Sequence, residues 1–391
     1  MIGSGSSSIQ IVPSLQRIAG THVSTFVRSK TWISPPFGHQ LFDAYGLKGS
    51  AIPDELRKRL VDDPEYLQKF RLSVEEDGNG IHAVTMKGTP LQVGAKDVFH
   101  QHMKKRLETK PEIFEALIPS FSPGCRRLTP GPGYLESLTE PNVSFITSPI
   151  THISESAIHT KDGSTHEIDA LVCATGFKTG APPPFGLTGA NGVPLSDKWK
   201  ERPTTYLSHS IANFPNMFVM LGPNSAIGSG SLTKMIETVG DYIVKCVRKI
   251  QKDNIAAMSV KQAREDDFTE YADAYFEGTV FAEECRSWYK NKGTGEVVGL
   301  WPGSTLHCIE AMRSPRWEDY EYTYVDELEA RESDKLGGKR TNRMAWLGNG
   351  WSANQLEERD LAWYLYPEFV DKPSAPYPEK NEALRIRPFS Y

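Results

Sequence analysis

The chain has 391 residues, a formal net charge of −5 and 39% hydrophobic residues, enough to bury sizeable cores in about two or three subdomains. The slight acidic excess argues against a surface built for nucleic acid or anionic membrane. No run approaches the roughly 18 apolar residues of a membrane span.

The five cysteines, Cys125, Cys173, Cys246, Cys285 and Cys308, show neither a C-x-x-C pair nor a zinc spacing. They read as reduced thiols of a cytoplasmic protein. The ten histidines form no H-E-x-x-H arrangement, so no metal is expected. The first residues lack the charged-then-apolar order of a secretory signal, and none is expected.

The opening Gly3-Ser4-Gly5-Ser6-Ser7-Ser8 precedes an apolar periodic run, Ile9, Val12, Leu15 and Ile18. This is the form of a dinucleotide-binding turn that opens into a helix. Gly3 permits the tight turn, Gly5 lets the backbone approach a pyrophosphate, and Ser8 takes the third small position. The first-turn N–H groups and the positive end of the helix would hold the phosphates. Pro13 falls inside that helix, tolerable with a kink. A Gly/Ser-rich start also suits a loose terminus, but residues 22–27 read as a second strand, which completes a β-α-β run. Only Met1 and Ile2 precede Gly3, so the first strand is nearly absent.

The second strand ends in Arg28-Ser29-Lys30, and no Asp or Glu occurs before Asp43. An NAD site wants a carboxylate at this point for the ribose 2′-hydroxyl, whereas a basic residue suits the 2′-phosphate of NADP. The paired prolines within residues 34–40 break regular structure. Two charged helical stretches follow, Asp54 to Glu75 and Lys96 to Ile118, and residues 43–119 read as a helical insertion with solvated faces.

The loop from Gly124 to Tyr134 is rich in Pro and Gly and carries the adjacent Arg126 and Arg127. Adjacent arginines are commonly plain surface charge; they also suit a clamp on a 2′-phosphate and a fixed cation for a developing oxyanion. From residue 142 the pattern alternates. Val143 to Ile146, Ile150 to Ile153, Ala157 to Thr160 and Glu167 to Cys173 read as strands, with Lys161-Asp162-Gly163 as a turn. The last strand runs into Ala174-Thr175-Gly176, at the carboxyl edge where open α/β sheets bind ligands.

A further apolar edge spans residues 214–221. Beyond a Gly/Ser turn, a long helix begins near Ser231 with Leu232, Ile236, Val239, Ile243, Val247 and Ile250 as its core stripe. The free N–H groups of that turn, at Gly228 and Gly230, could meet a ligand. The aromatic-rich final third has poor periodicity, and the tail after Pro367 reads as a mobile terminus.

Taken together, Gly3 to Gln10, Arg28-Ser29, Arg126-Arg127 before Tyr134-Leu135-Glu136, and Asp169 through Gly176 resemble the NADP-binding domain of flavin-dependent Baeyer–Villiger monooxygenases, closest in look to fungal members of secondary metabolism. Phe214-Pro215-Asn216 and Gly222-Pro223 look like that family's FAD-domain return, and the resemblance spans roughly residues 1–310.

It implies an α/β fold: a Rossmann-like NADP-binding domain over 1–42 and 120–177, the helical insertion, the C-terminal part of an FAD-binding α/β domain over 178–310, and an extension over 311–391. It also implies FAD and NADP as cofactors. NADPH would reduce FAD, and molecular oxygen would be inserted into a ketone to give an ester or lactone. Gly3 through Ser8 and Ala174-Thr175-Gly176 would bind cofactor, Arg28, Ser29 and Arg126 would contact the 2′-phosphate, and Arg127 would be the catalytic cation.

The family's earlier Gly-x-Gly-x-x-Gly for FAD is not in this sequence. The chain is therefore read as lacking the N-terminal FAD-binding segment. Two alternatives remain open: a non-catalytic NADP-binding remnant, and a heteroatom-oxidising flavin monooxygenase.

Overall fold

A computed structural model describes residues 1–36, 38–47, 52–177, 181–325, 328, 344 and 347–366. Helix α1 (Ser6–Gln16) leads into strand β1 (Val23–Phe26). Then come α2 (His39–Ala44), α3 (Asp54–Asp62), α4 (Pro64–Gly80), α5 (Pro90–Arg106), α6 (Pro111–Leu117) and α7 (Tyr134–Ser137). Strands β2 (Val143–Ile146), β3 (Ile150–Ile153), β4 (Ala157–Thr160) and β5 (Thr165–Glu167) follow. The remainder holds α8 (Leu195–Lys198), α9 (Leu232–Lys252), β6 (Ile255–Val260), α10 (Gln262–Glu277), α11 (Thr305–Ala311) and β7 (Tyr320–Tyr324).

The first two residues do act as strand. Ile2 bridges Phe26 on one side and Cys173 on the other, both in parallel, and β1 pairs with β2 in parallel. The order across this sheet is β2, β1, Ile2, Cys173, with α1 as the crossover from Ile2 to β1. The forecast strand over 167–173 is corrected. Pairing stops at β5 and resumes only at Cys173, because Ile168 N–H still closes the β3–β4–β5 hairpin sheet on Ser156 O while Ala174 N–H already serves the parallel sheet through Ile2 O.

Helix ends follow the sequence. The single helix expected over 54–75 divides at Asp63, whose carboxylate accepts from Tyr66 N–H at 2.9 Å and caps α4 at Pro64. The one expected over 96–118 begins earlier, at Pro90 under the cap of Thr89, and divides between Arg106 and Pro111. The apolar edge at 214–221 forms no strand. Asn213, Asn216 and Leu221 take left-handed backbone conformations that turn the chain, leaving a lone bridge from Phe218 to Ser210.

Two main cores result. The first joins Ile9 and Val12 of α1, Val23 of β1, Met103 and Leu107 of α5, Leu117 of α6, Leu135 of α7 and Val143 of β2. The second joins Met235, Val239, Tyr242 and Cys246 of α9 with Ile255 and Met258 of β6, Phe268 of α10, Trp301 and Tyr320. The buried line of α9 is thus displaced from the forecast stripe, in which Val247 is exposed. Trp301, Tyr289 and Tyr320 pack inside, whereas Trp288, Trp351, Trp363 and Tyr364 are exposed. Trp346, Gly337-Gly338 and the tail after Pro367 lie outside the described residues.

The cysteine reading is also corrected. Cys125 and Cys285 are joined by a disulfide; Cys173, Cys246 and Cys308 are free. Their separation of 160 residues hides this pair from any spacing rule. Among the described residues no helix is long and apolar enough to cross a membrane, and no cluster of ligating side chains fits a metal ion.

Candidate nucleotide-binding site

The site forms where the parallel sheet meets the start of α1. Gly3 N–H donates to Phe26 O at 3.1 Å, and its neighbour Ile2 is held through Val172 O and Ala174 N–H. Gly3 has φ +125°, and a Cβ there would stand 2.3 Å from the backbone oxygen of Ala174. Only glycine fits. The expected Ala174-Thr175-Gly176 element therefore lies directly against the glycine turn, with Thr175 and Gly176 exposed beside it.

Gly5 is the opposite case. Its φ is −87°, and a Cβ would meet no atom within 4 Å, so the protein leaves open space over this backbone. The first intrahelical hydrogen bond is Ile9 N–H to Gly5 O, at 3.0 Å. The N–H groups of Ser6, Ser7 and Ser8 lie before it, as at any helix start. Ser4 is buried and donates through Oγ to Ser29 O at 2.9 Å, and Ser6 Oγ pairs with Thr129 Oγ1 at 2.7 Å. Ser7 is exposed, while Ser8 is fully buried and its Oγ has no partner among the described residues.

The cations come from two distant parts of the chain. Arg28 is exposed at the end of β1. Arg126 is half-buried and donates through Nη1 to Lys30 O at 2.9 Å, next to Ser29. Burial lowers the pKa of Arg126, and the charge of Arg28 lowers it further, so the two guanidinium groups stand close together. Among the described residues neither forms an ion pair with a carboxylate. Arg127 turns the other way: exposed itself, it hydrogen-bonds the buried Tyr289, whose pKa is raised by burial and partly lowered again by the Arg127 charge.

The geometry thus brings Gly3, Ser4, Ser6, Arg28, Ser29 and Arg126 to one edge, with Ala174 alongside, and directs Arg127 to residues 283–290. Sequence reasoning named Lys30 only as part of a basic run and missed Thr129, Glu283 and Tyr289. Lys30 acts through its backbone oxygen, which no residue type advertises. The turn at Gly228 and Gly230 is packed rather than open on its Cα side, since added Cβ atoms would meet Phe281 at 2.6 Å and Thr305 Oγ1 at 2.5 Å.

No family model matches the chain. Curated relatives include the FAD-binding monooxygenase tazF of Aspergillus terreus, 34% identical over 370 residues, covering 93% of this chain and 63% of the relative. The FAD-binding monooxygenase stcW of Emericella nidulans is 33% identical over 374 residues, covering 95% and 59%. This chain thus spans less than two thirds of the length of these relatives.

Among solved structures, cyclohexanone monooxygenase from Rhodococcus sp. Phi1 bound to NADP+ superposes with a TM-score of 0.65 at 22% identity, over 83% of this chain and 67% of that one. An oxidised steroid monooxygenase bound to NADP gives 0.63 at 20%, over 83% and 66%. The homologues are FAD-binding monooxygenases, and the mixed α/β fold is shared with flavin monooxygenases of known structure.

Proposed function

We propose that this chain binds NADPH at the edge of its parallel sheet and works with FAD in a monooxygenase that inserts one atom of molecular oxygen into a ketone, giving an ester or lactone, in cytoplasmic secondary metabolism. One observation carries the reading. The guanidinium groups of Arg28 and Arg126 are near enough to repel each other, neither pairs with a carboxylate among the described residues, and they stand next to a glycine turn whose backbone is open. Like charges kept together at a cost call for an anion, and the 2′-phosphate of NADPH beside a pyrophosphate is an anion of that shape.

The residues present fit NADPH. The open space at Gly5 admits a pyrophosphate against the first-turn N–H groups, and Arg28, Ser29 and Arg126 would hold the 2′-phosphate. The fit to FAD is partial. Ala174-Thr175-Gly176, Phe214-Pro215-Asn216 and Gly222-Pro223 resemble the flavin-binding return, but no second dinucleotide turn occurs in this sequence.

When bound, the two cofactors supply a hydride and a route for its electrons to oxygen. The protein's own share is orientation and charge. Arg127, seated against Tyr289, would stabilise negative charge on the reacting oxygen. In this reading residues 1–42 and 120–177 are the NADP-binding unit, 43–119 an insertion, 178–310 part of the flavin-binding unit and 311–391 an extension.

Titration of the full chain with NADPH and NADH tests the site. Arg28→Ala is expected to weaken NADPH by about 10- to 100-fold, the worth of one charge-assisted contact, and to leave NADH unchanged. Equal NADPH affinity in the variant would overturn the assignment. Incubation with FAD, NADPH, oxygen and a cyclic ketone should give a product heavier by one oxygen. NADPH binding without that product would reduce the reading to a nucleotide-binding protein.

A further inference from the structure

The loop that carries Arg126 and Arg127 is tied to residues 283–289 by three separate contacts. Cys125 Sγ is bonded to Cys285 Sγ. The Glu283 carboxylate accepts from Ser122 N–H at 2.7 Å. Arg127 hydrogen-bonds Tyr289. On its other side the same loop reaches the nucleotide edge, through Arg126 Nη1 to Lys30 O at 2.9 Å. The disulfide thus sits one residue from the cation that faces Arg28.

The two sulfurs differ in access. Cys125 is fully buried, and Cys285 is only half-buried. A thiolate arriving from solvent reaches the Cys285 sulfur, and Cys125 is the leaving group. That thiolate forms on the residue directly before Arg126, so its release frees the backbone that carries this cation. Of the free thiols, Cys246 and Cys308 are buried, and the exposed Cys173 belongs to the strand that pairs with Ile2.

We propose that Cys125–Cys285 is a reversible thiol–disulfide site that controls how firmly Arg126 is held beside Arg28, and with it the affinity for a 2′-phosphorylated nucleotide. The proposal rests on the reading of Arg28 and Arg126 as phosphate contacts. The reagent is a dithiol. One of its thiolates attacks Cys285 Sγ, the S–S bond breaks, and Cys125 leaves as a thiolate that takes up a proton. The dithiol's second sulfur then displaces Cys285 from the mixed disulfide. Two electrons and two protons pass to the protein, and the dithiol ends as its own disulfide. The Glu283 and Tyr289 contacts survive, so the fold is kept while the loop between them gains freedom.

The test uses the full chain, oxidised or treated with dithiothreitol, titrated with NADPH and with NADH. Oxidised protein is expected to bind NADPH about tenfold more tightly than reduced protein, with NADH alike in both. The double variant Cys125→Ser, Cys285→Ser should match the reduced protein under either condition. Should that variant fail to fold, the reduced natural chain, checked by circular dichroism, decides alone.

Alkylation of unfolded, never-reduced protein should count the three free thiols and not all five cysteines. Counting five overturns the proposal. NADPH binding that Arg28→Ala weakens but dithiothreitol leaves unchanged overturns the redox control and leaves the nucleotide site standing. No NADPH binding in either state overturns both.

Discussion

The candidate nucleotide edge and the second core treat charge in opposite ways. Around α9 and β6–β7, the charged groups below are all paired. Arg202 makes a bidentate pair with Asp273 at 2.8 and 2.6 Å. Asp319 takes Tyr206 Oη and Arg316 Nε. Glu265, 1% exposed, receives Thr204 Oγ1 at 2.6 Å, Ala212 N–H at 2.6 Å and Lys198 Nζ at 3.0 Å. At the nucleotide edge Arg28 and Arg126 meet no carboxylate among the described residues. The contrast separates charge committed to the fold from charge left for something that arrives, and only the second kind points to a ligand.

The largest effect expected from breaking this contrast lies in the paired region. Glu265→Ala leaves Lys198 with only Gln262 Oε1 and leaves the Ala212 N–H and the Thr204 hydroxyl without their acceptor. A loss of about 3–5 kcal/mol in stability is expected, read by chemical denaturation. A change below about 1 kcal/mol would show that this network does little for stability. Arg28→Ala is the matching change at the other region. It removes a cation that has no carboxylate partner among the described residues and should leave stability within about 0.5 kcal/mol while NADPH affinity falls.

Gly3→Ala sharpens the comparison from the backbone side. The residue would have to hold φ +125° with its Cβ inside the Ala174 carbonyl, and backbone on both sides of it is locked into the sheet. About 3 kcal/mol of destabilisation is expected, seen as a lower melting temperature, with nucleotide binding lost alongside. A melting temperature equal to that of the natural chain would mean that Ile2 and Cys173 are not strand neighbours.

The two regions also differed in how far the sequence disclosed them. Local rules found β2, β3 and β4 to the residue, placed β1 within one residue at each end, and marked the start of α9 at Ser231, since alternation and side-chain caps are short-range signals. The same rules identified the glycine turn because Gly3 and Gly5 are needed for what their backbone does. They missed the β6–β7 pair, which joins residues some sixty positions apart. They also missed Tyr289, Glu283 and the Cys125–Cys285 bond, which depend on contacts across 160 residues. The parallel sheet was only partly legible, because two of its members contribute a single bridging residue each, Ile2 and Cys173. The pairing of Arg28 with Arg126 followed from the family resemblance, not from spacing.

The last expected effect is one that only a change of pH reveals, and it concerns His209, an exception inside the paired core. The ring is completely buried. Nδ1 shares a hydrogen bond with Ser210 Oγ at 2.8 Å, and Nε2 has no partner among the described residues. Burial pulls its pKa from 6.5 down to about 3. The folded chain therefore keeps this ring neutral where the unfolded chain protonates it. As pH falls from 6.5 toward 3 the unfolded state binds the extra proton, and stability declines by about 1.4 kcal/mol per pH unit. Below about 3 both states are protonated and this contribution levels off. Denaturation midpoints measured from pH 7 to pH 4 in the natural chain and in His209→Asn check this, because the variant lacks the titrating ring and should show the shallower slope. Parallel slopes would mean that water or a neighbouring acceptor reaches Nε2, and that the core around Tyr242 is looser than its packing implies.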